Sequence, residues 1–151
     1  MIEVRNVKKS YSEQLVLKDI NLVFHKNTIT LLKGVSGCGK TTLLNIIGGL
    51  IEDYEGDIIF NGIHIKGDKR KEYQKNIAYV FQQSLLFQQL SVMENLKFIH
   101  DDVERIIEYA KQFNVDNLLD KKVQTLSNGE RQRVSIIRAL LLDSDILIFD
   151  E

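Results

Sequence analysis

The chain has 151 residues, enough for one compact domain with a real core, and its 44% apolar and 27% charged residues are ordinary for a soluble globular protein. With 20 basic and 21 acidic side chains the net charge is −1, which argues against nucleic acid as a partner but permits a local anion site built from backbone N–H groups. Cys38 is the single cysteine, so no internal disulfide forms; the N-terminus lacks the apolar core of a signal peptide, and runs such as residues 136–142, broken by Arg138, are too short to span a bilayer.

Ile2, Val4 and Val7, with polar residues between them, predict a first strand. Val16–Phe24 and Thr28–Leu32 predict two more, the latter rich in β-formers. A glycine-rich turn follows at Gly34–Gly39, and Thr41–Leu50 has the apolar spacing of a buried helix closed by Gly48-Gly49. Asp57–Phe60 and Ile63–Ile65 flank Asn61-Gly62, which predicts a hairpin with a tight turn. Lys69–Lys75 is a short polar helix and Ile77–Phe81 another strand. Val92–Ile99 and Val103–Phe113 are helical by period. Asn128–Leu142 is an amphipathic helix with Val134, Ile137, Leu140 and Leu141 on its apolar face, and Asp145–Phe149 is a short buried strand. A β-rich start, an α/β core, a helical insert and a return to the core predict the α/β class.

Gly34-Val35-Ser36-Gly37-Cys38-Gly39-Lys40-Thr41 satisfies the phosphate-loop pattern G-x-x-x-x-G-K-[ST]. Its glycines let the backbone wrap closely around phosphate oxygens with N–H groups pointing inward. The helix that follows aims its positive end at the same anion. Lys40 supplies charge to the β- and γ-phosphates, and the Thr41 hydroxyl is a hard oxygen ligand for Mg²⁺. Cys38 lies within the loop and reads first as an inert occupant of a variable position; the alternative is a thiol that ionises readily at a helix N-terminus, which an alkylating reagent would modify and MgATP would protect.

Ile146-Leu147-Ile148-Phe149-Asp150-Glu151 is an apolar strand ending in two acids. After a phosphate loop, that is the expected second half of an Mg²⁺ site, with Asp150 holding the metal's water shell and Glu151 accepting a proton from the attacking water. Leu126-Ser127-Asn128-Gly129-Glu130-Arg131-Gln132-Arg133 reads as a helix capping box, Ser127 with Glu130. Placed between the phosphate loop and the acidic strand, the stretch also resembles the signature of ATP-binding cassette (ABC) domains, usually LSGGQ. Asn128 stands for a glycine and Glu130 for the glutamine. Tyr11 and Gln82, the latter after Tyr79-Val80-Phe81, fall where that family places an adenine-stacking ring and a Mg²⁺-sensing glutamine, and Gly34–Thr42 fits its G-x-S-G-x-G-K-[ST]-T form.

The resemblance covers the whole chain and implies a transporter ATPase, most like small bacterial exporter subunits. It implies a core from residues 1–82 and 143–151 and a helical subdomain over about 83–142. By the match, Tyr11 stacks adenine, the loop residues Gly34, Ser36, Gly37, Cys38, Gly39, Lys40, Thr41 and Thr42 surround phosphate, and Thr41, Gln82 and Asp150 meet Mg²⁺. Lys40, Gln82 and Glu151 are the catalytic set. Ser127 and Gly129 reach the γ-phosphate held by a second nucleotide-binding domain, since cassettes work as pairs with ATP between them. A transmembrane subunit docks around residues 82–95, holding the chain on the cytoplasmic face of the membrane. A full cassette continues past Glu151 into a histidine-bearing strand, so the expectation for this stretch alone is weak or absent hydrolysis. The rival readings are a soluble cassette ATPase without a membrane partner and a module that binds nucleotide without turning it over.

Overall fold

Two strands, β1 (Ile2–Tyr11) and β2 (Gln14–Phe24), form an antiparallel hairpin whose ladder is interrupted between Val4 and Val7 and again between Val7 and Lys9. Asn6 and Asp19 sit at these interruptions with φ of 50° and 53°, a left-handed geometry that short polar side chains tolerate by bonding locally. The Asn6 side chain donates to Asp19 Oδ1 at 3.0 Å, and its backbone N–H donates to Asn21 Oδ1 at 2.9 Å. The computed structural model describes residues 1–150, and these divide into two compact units, residues 1–76 and residues from 77 onward.

In the first unit, β3 (Glu55–Phe60) and β4 (Ile63–His64) complete an antiparallel sheet of order β2-β1-β3-β4. Asn61 and Gly62 join them with φ of 50° and 80°, the tight turn their sequence demands. At Gly56 a side chain is excluded by contact: a Cβ would lie 2.5 Å from the carbonyl oxygens of Arg5 and Asn6. Two helices follow the same logic of satisfied ends, α1 (Lys40–Ile47) and α2 (Asp68–Gln74). Leu50 N–H returns to Asn45 O at 2.8 Å and Gly49 N–H to Ile46 O at 3.0 Å, with Gly49 at φ 71°. That closes α1 in a left-handed glycine cap. Arg70 and Gln74 both donate to Gly49 O at 2.8 Å and the Tyr73 hydroxyl donates to Ile47 O at 2.8 Å, so α2 absorbs the remaining carbonyls of α1. Burial pushes the Tyr73 hydroxyl well above its ordinary pKa.

The strand expected over Thr28–Leu32 does not form. Those residues carry no regular structure, and Ile29 and Leu31 stand exposed. β-forming side chains make a strand only when a ladder partner satisfies their backbone, and no described strand pairs with this segment.

In the second unit, β5 (Ile77–Val80) pairs parallel with β6 (Ile146–Phe149) in register Ile77 with Ile146 through Val80 with Phe149. Three helices, α3 (Val92–Lys97), α4 (Val103–Gln112) and α5 (Asn128–Leu140), enclose a core of Val92, Leu96, Ile106, Val123, Val134 and Ile137, all fully buried. Ala139 of α5 packs on Ala78 and Val80 of β5. Each helix begins on a side-chain cap: Ser91 for α3, Asp102 for α4 and Ser127 for α5. Antiparallel sheet, helices and parallel pair together bear out the α/β class. No helix among the described residues is long and apolar enough to cross a membrane.

Candidate functional site

The phosphate loop lies in the first unit, between the irregular segment and α1. Gly37 and Gly39 have φ of 78° and 97°, conformations that let successive N–H groups face one concavity. Gly39 is the N-cap of α1. It offers no side-chain cap, and the first turn holds no acid, so the positive end of the helix is uncompensated from within. Lys40 folds back over the loop and donates to Gly34 O at 2.9 Å and Val35 O at 3.0 Å. The loop also excludes bulk: a Cβ on Gly34 would meet Cys38 Sγ at 2.6 Å, and one on Gly39 would meet Leu17 Cδ2 at 2.9 Å. Val35, Ser36, Cys38 and Thr41 are exposed, and Thr42 is half-buried.

Tyr11 ends β1 in the same unit with its ring 48% exposed, a large apolar surface left open to solvent. The Lys9 ammonium sits 4.9 Å from the ring centroid. Lys9 is itself buried and donates to Asp53 Oδ2 at 2.9 Å.

In the second unit, Gln82 follows β5 and lines a polar cavity of about 530 Å³ together with Asn128, Gly129 and Gln132 at the start of α5. The structure therefore brings the expected glutamine and the expected signature glycine to one hollow. Ser127 stands at the N-cap of α5, where its N–H and hydroxyl donate to Glu130 Oε2 at 2.7 and 2.8 Å. Those bonds hold the Glu130 carboxyl below its usual range, the Ser127 backbone bond first and its hydroxyl second. Gly129 has open space where a side chain would be, leaving the backbone of the first turn approachable. Asp150 follows β6 as a buried carboxylate whose backbone N–H donates to Val80 O at 3.0 Å. Burial and, after it, the Asp150 charge push the Tyr79 hydroxyl upward. Glu151 lies outside the described residues.

Three features here are invisible to motif reading. Ser135 of α5 lines the same cavity with a buried hydroxyl that has no hydrogen-bond partner. Leu85, Phe87 and Phe98 are exposed, and the two phenyl rings are 5.2 Å apart. Asn95, fully buried, binds the Phe87 backbone on both sides: it accepts from Phe87 N at 2.8 Å and donates to Phe87 O at 3.1 Å. A side-chain amide, with a donor and an acceptor side by side, can do both.

The residues present fit a nucleoside triphosphate. Left-handed glycines, an uncapped helix start and one ammonium laid across the loop form an anion cradle. No cluster of three or more His, Cys, Asp or Glu side chains among the described residues is arranged to hold a metal by itself. Mg²⁺ keeps waters and needs only one or two protein oxygens beside a substrate's phosphates. Thr41 in the first unit and Asp150 in the second each carry an oxygen of the hard kind that Mg²⁺ accepts.

Residues 17–151 match the family model described as ABC transporter. The chain is 37% identical to the sulfate/thiosulfate import ATP-binding protein CysA of Pectobacterium atrosepticum, covering 99% of this chain and 48% of that protein. It is also 37% identical to the spermidine/putrescine import ATP-binding protein PotA of Acetivibrio thermocellus, covering 100% of this chain and 45% of that protein. The dimeric post-hydrolysis state of the ATP-binding cassette MJ0796, bound to ADP and Pi, superposes with a TM-score of 0.85 at 31% identity over 99% of this chain and 73% of that one. The chain thus spans about half the length of the curated relatives it matches. Those relatives are named for import, and the expectation of export finds no support among them. Motifs, fold and relatives converge: this chain belongs to the ABC transporter family of ATP-binding proteins.

Proposed function

We propose that this chain works as the ATP-binding part of a membrane transporter, pairing with a second nucleotide-binding domain and using ATP binding and hydrolysis to drive a solute across a membrane. The observation that carries the reading is the geometry of Lys40, held on the carbonyls of Gly34 and Val35 beside an uncapped helix start. The names of its relatives favour uptake over export.

Bound MgATP supplies a γ-phosphoryl bond whose hydrolysis releases the free energy of the cycle. The chain's own residues do the rest. Lys40 exchanges its two carbonyl partners for phosphate oxygens, and the amides of residues 37–42 supply donors that need little rearrangement. Thr41 would offer its hydroxyl oxygen to Mg²⁺ and Asp150 would be the carboxylate candidate of the second unit, where Gln82 lies in the cavity it shares with Gly129. Ser127 and Gly129, on the exposed start of α5, face the triphosphate of the paired domain. Residues 83–142 act as the helical subdomain, and the exposed Leu85, Phe87 and Phe98 form the apolar surface on which a transmembrane subunit at the cytoplasmic face docks.

Two measurements test this together. The protein is purified from membranes under mild detergent, and phosphate release is followed for wild type and Lys40→Ala. Co-purification with a multi-span membrane protein and turnover lost in the variant support the proposal. Turnover that survives Lys40→Ala, or a protein found only free of membranes with ATPase activity intact, contradicts it.

A further inference from the structure

Among the described residues Lys9 is the one buried lysine, with 7% of its surface exposed, although its position on β1 is two residues from a ring left half open. Residues two apart on a strand share a face, and here that places the Lys9 ammonium 4.9 Å from the Tyr11 ring centroid. Asp53, from the segment just before β3, fixes the ammonium by accepting a hydrogen bond at 2.9 Å while remaining fully exposed itself. A buried lysine costs desolvation free energy, so its single carboxylate partner and the ring face must offset that cost. One face of the ring is thus occupied by a fixed cation, and the rest is open.

We propose that Lys9 is a positioning residue for base recognition: with Asp53 it forms a cationic seat that backs the Tyr11 ring and leaves its opposite face to stack on the base of the nucleotide. The inference rests on the reading of Tyr11 as the base platform. A cation on one face draws π density toward itself and lowers the repulsion between the other face and an electron-rich purine. It also holds the ring in one rotamer, so less conformational freedom is lost when the base arrives. Asp53 serves by holding Lys9 in place, not by touching the nucleotide.

The test separates base from phosphate. Competition binding against a fluorescent nucleotide gives affinities for ATP and for inorganic triphosphate, in wild type, Lys9→Met, Asp53→Asn, Tyr11→Ala and the Lys9→Met/Tyr11→Ala double variant. Methionine keeps the buried stem and removes the charge. The expected result is a loss of about threefold to tenfold in ATP affinity for Lys9→Met, a smaller loss for Asp53→Asn, and triphosphate affinity unchanged in both. The double variant should bind ATP no more weakly than Tyr11→Ala alone. If Tyr11→Ala weakens ATP binding but Lys9→Met matches wild type, the seat is refuted and the base platform stands. If Tyr11→Ala itself leaves ATP affinity unchanged, the platform reading fails and the seat with it. If Lys9→Met weakens triphosphate as much as ATP, Lys9 supports the fold at large and the inference is overturned.

Discussion

The Arg138 guanidinium, half-buried on α5, donates to the carbonyl oxygen of Leu85 at 2.6 Å. One helix thereby carries Ser127 at its start and, three turns later, the anchor of an exposed apolar segment. Burial lowers the Arg138 pKa, yet an arginine stays charged throughout the accessible range, so the bond is charge-assisted at any working pH.

Removing that anchor should loosen the segment without touching the phosphate loop. Arg138→Met is expected to speed amide hydrogen exchange over residues 84–88 by about tenfold, the effect of losing a charged hydrogen bond worth about 1.5 kcal/mol. ATP affinity should stay within about twofold of wild type. Exchange mapped by mass spectrometry decides it, and unchanged protection at Phe87 would show that Asn95 alone holds the segment.

Asn95 is the stronger tie. Its amide bonds Phe87 N and O and Ser91 O, and Asn95→Ala leaves two backbone groups of Phe87 without their partner. The expected cost is about 2–3 kcal/mol of stability, read by urea denaturation. An Asn95→Asp variant should be at least as destabilised at neutral pH, because a buried carboxylate accepts from Phe87 N–H but is repelled by the carbonyl oxygens of Phe87 and Ser91.

At Gly34 the obstacle is one atom. A Cβ there would meet Cys38 Sγ at 2.6 Å but Cys38 Cβ at 4.0 Å. Gly34→Ala is therefore expected to weaken ATP binding only about twofold to fivefold, because the exposed Cys38 thiol can turn to another rotamer, and Gly34→Ala with Cys38→Ala should recover most of the loss. Cys38→Ala alone should bind normally. A double variant as weak as Gly34→Ala would place the cause in the backbone and not in the sulfur.

Acid should weaken the second unit through its helix starts. Glu94 and Glu130 have their carboxyls held below the ordinary range by Ser91 and Ser127 N–H groups in matching capping boxes. A folded-state pKa that is depressed gives stability present above the unfolded value, about 4.3, and lost as pH falls through the folded value. The melting temperature of wild type should thus drop between about pH 5 and pH 3. A Glu94→Gln/Glu130→Gln variant should melt lower at pH 7 and show a shallower acid slope. Parallel slopes for the two proteins would assign the acid sensitivity to other carboxylates, among them Asp143, held low by Arg105.

What could be read from the sequence was what chemistry fixes locally. Asn61-Gly62 dictates its turn, Ser127 and Glu130 dictate a helix start, and the spacing from Gly34 to Thr41 dictates a loop that wraps an anion. Thr28–Leu32 has strand-forming side chains but no ladder partner among the described residues, and strand formation is decided by the partner. Lys9 beneath Tyr11 depends on Asp53, 44 positions away, and the grip of Asn95 on Phe87 depends on how α3 packs. Such pairings follow from the fold and leave no periodic trace. The bulges at Asn6 and Asp19 likewise shift which side chains face inward, which simple alternation does not foresee.

The central claim is that the backbone from Gly34 to Thr41, with the Lys40 ammonium, closes around a triphosphate. Calorimetric titration of MgATP into the folded chain at physiological salt tests it most directly, with Lys40→Ala as the partner measurement. Saturable one-to-one binding for wild type, weakened by at least about a hundredfold in Lys40→Ala through the lost charge contacts, is the predicted result. No heat of binding in well-folded wild type, or equal affinity in the two proteins, would contradict the account.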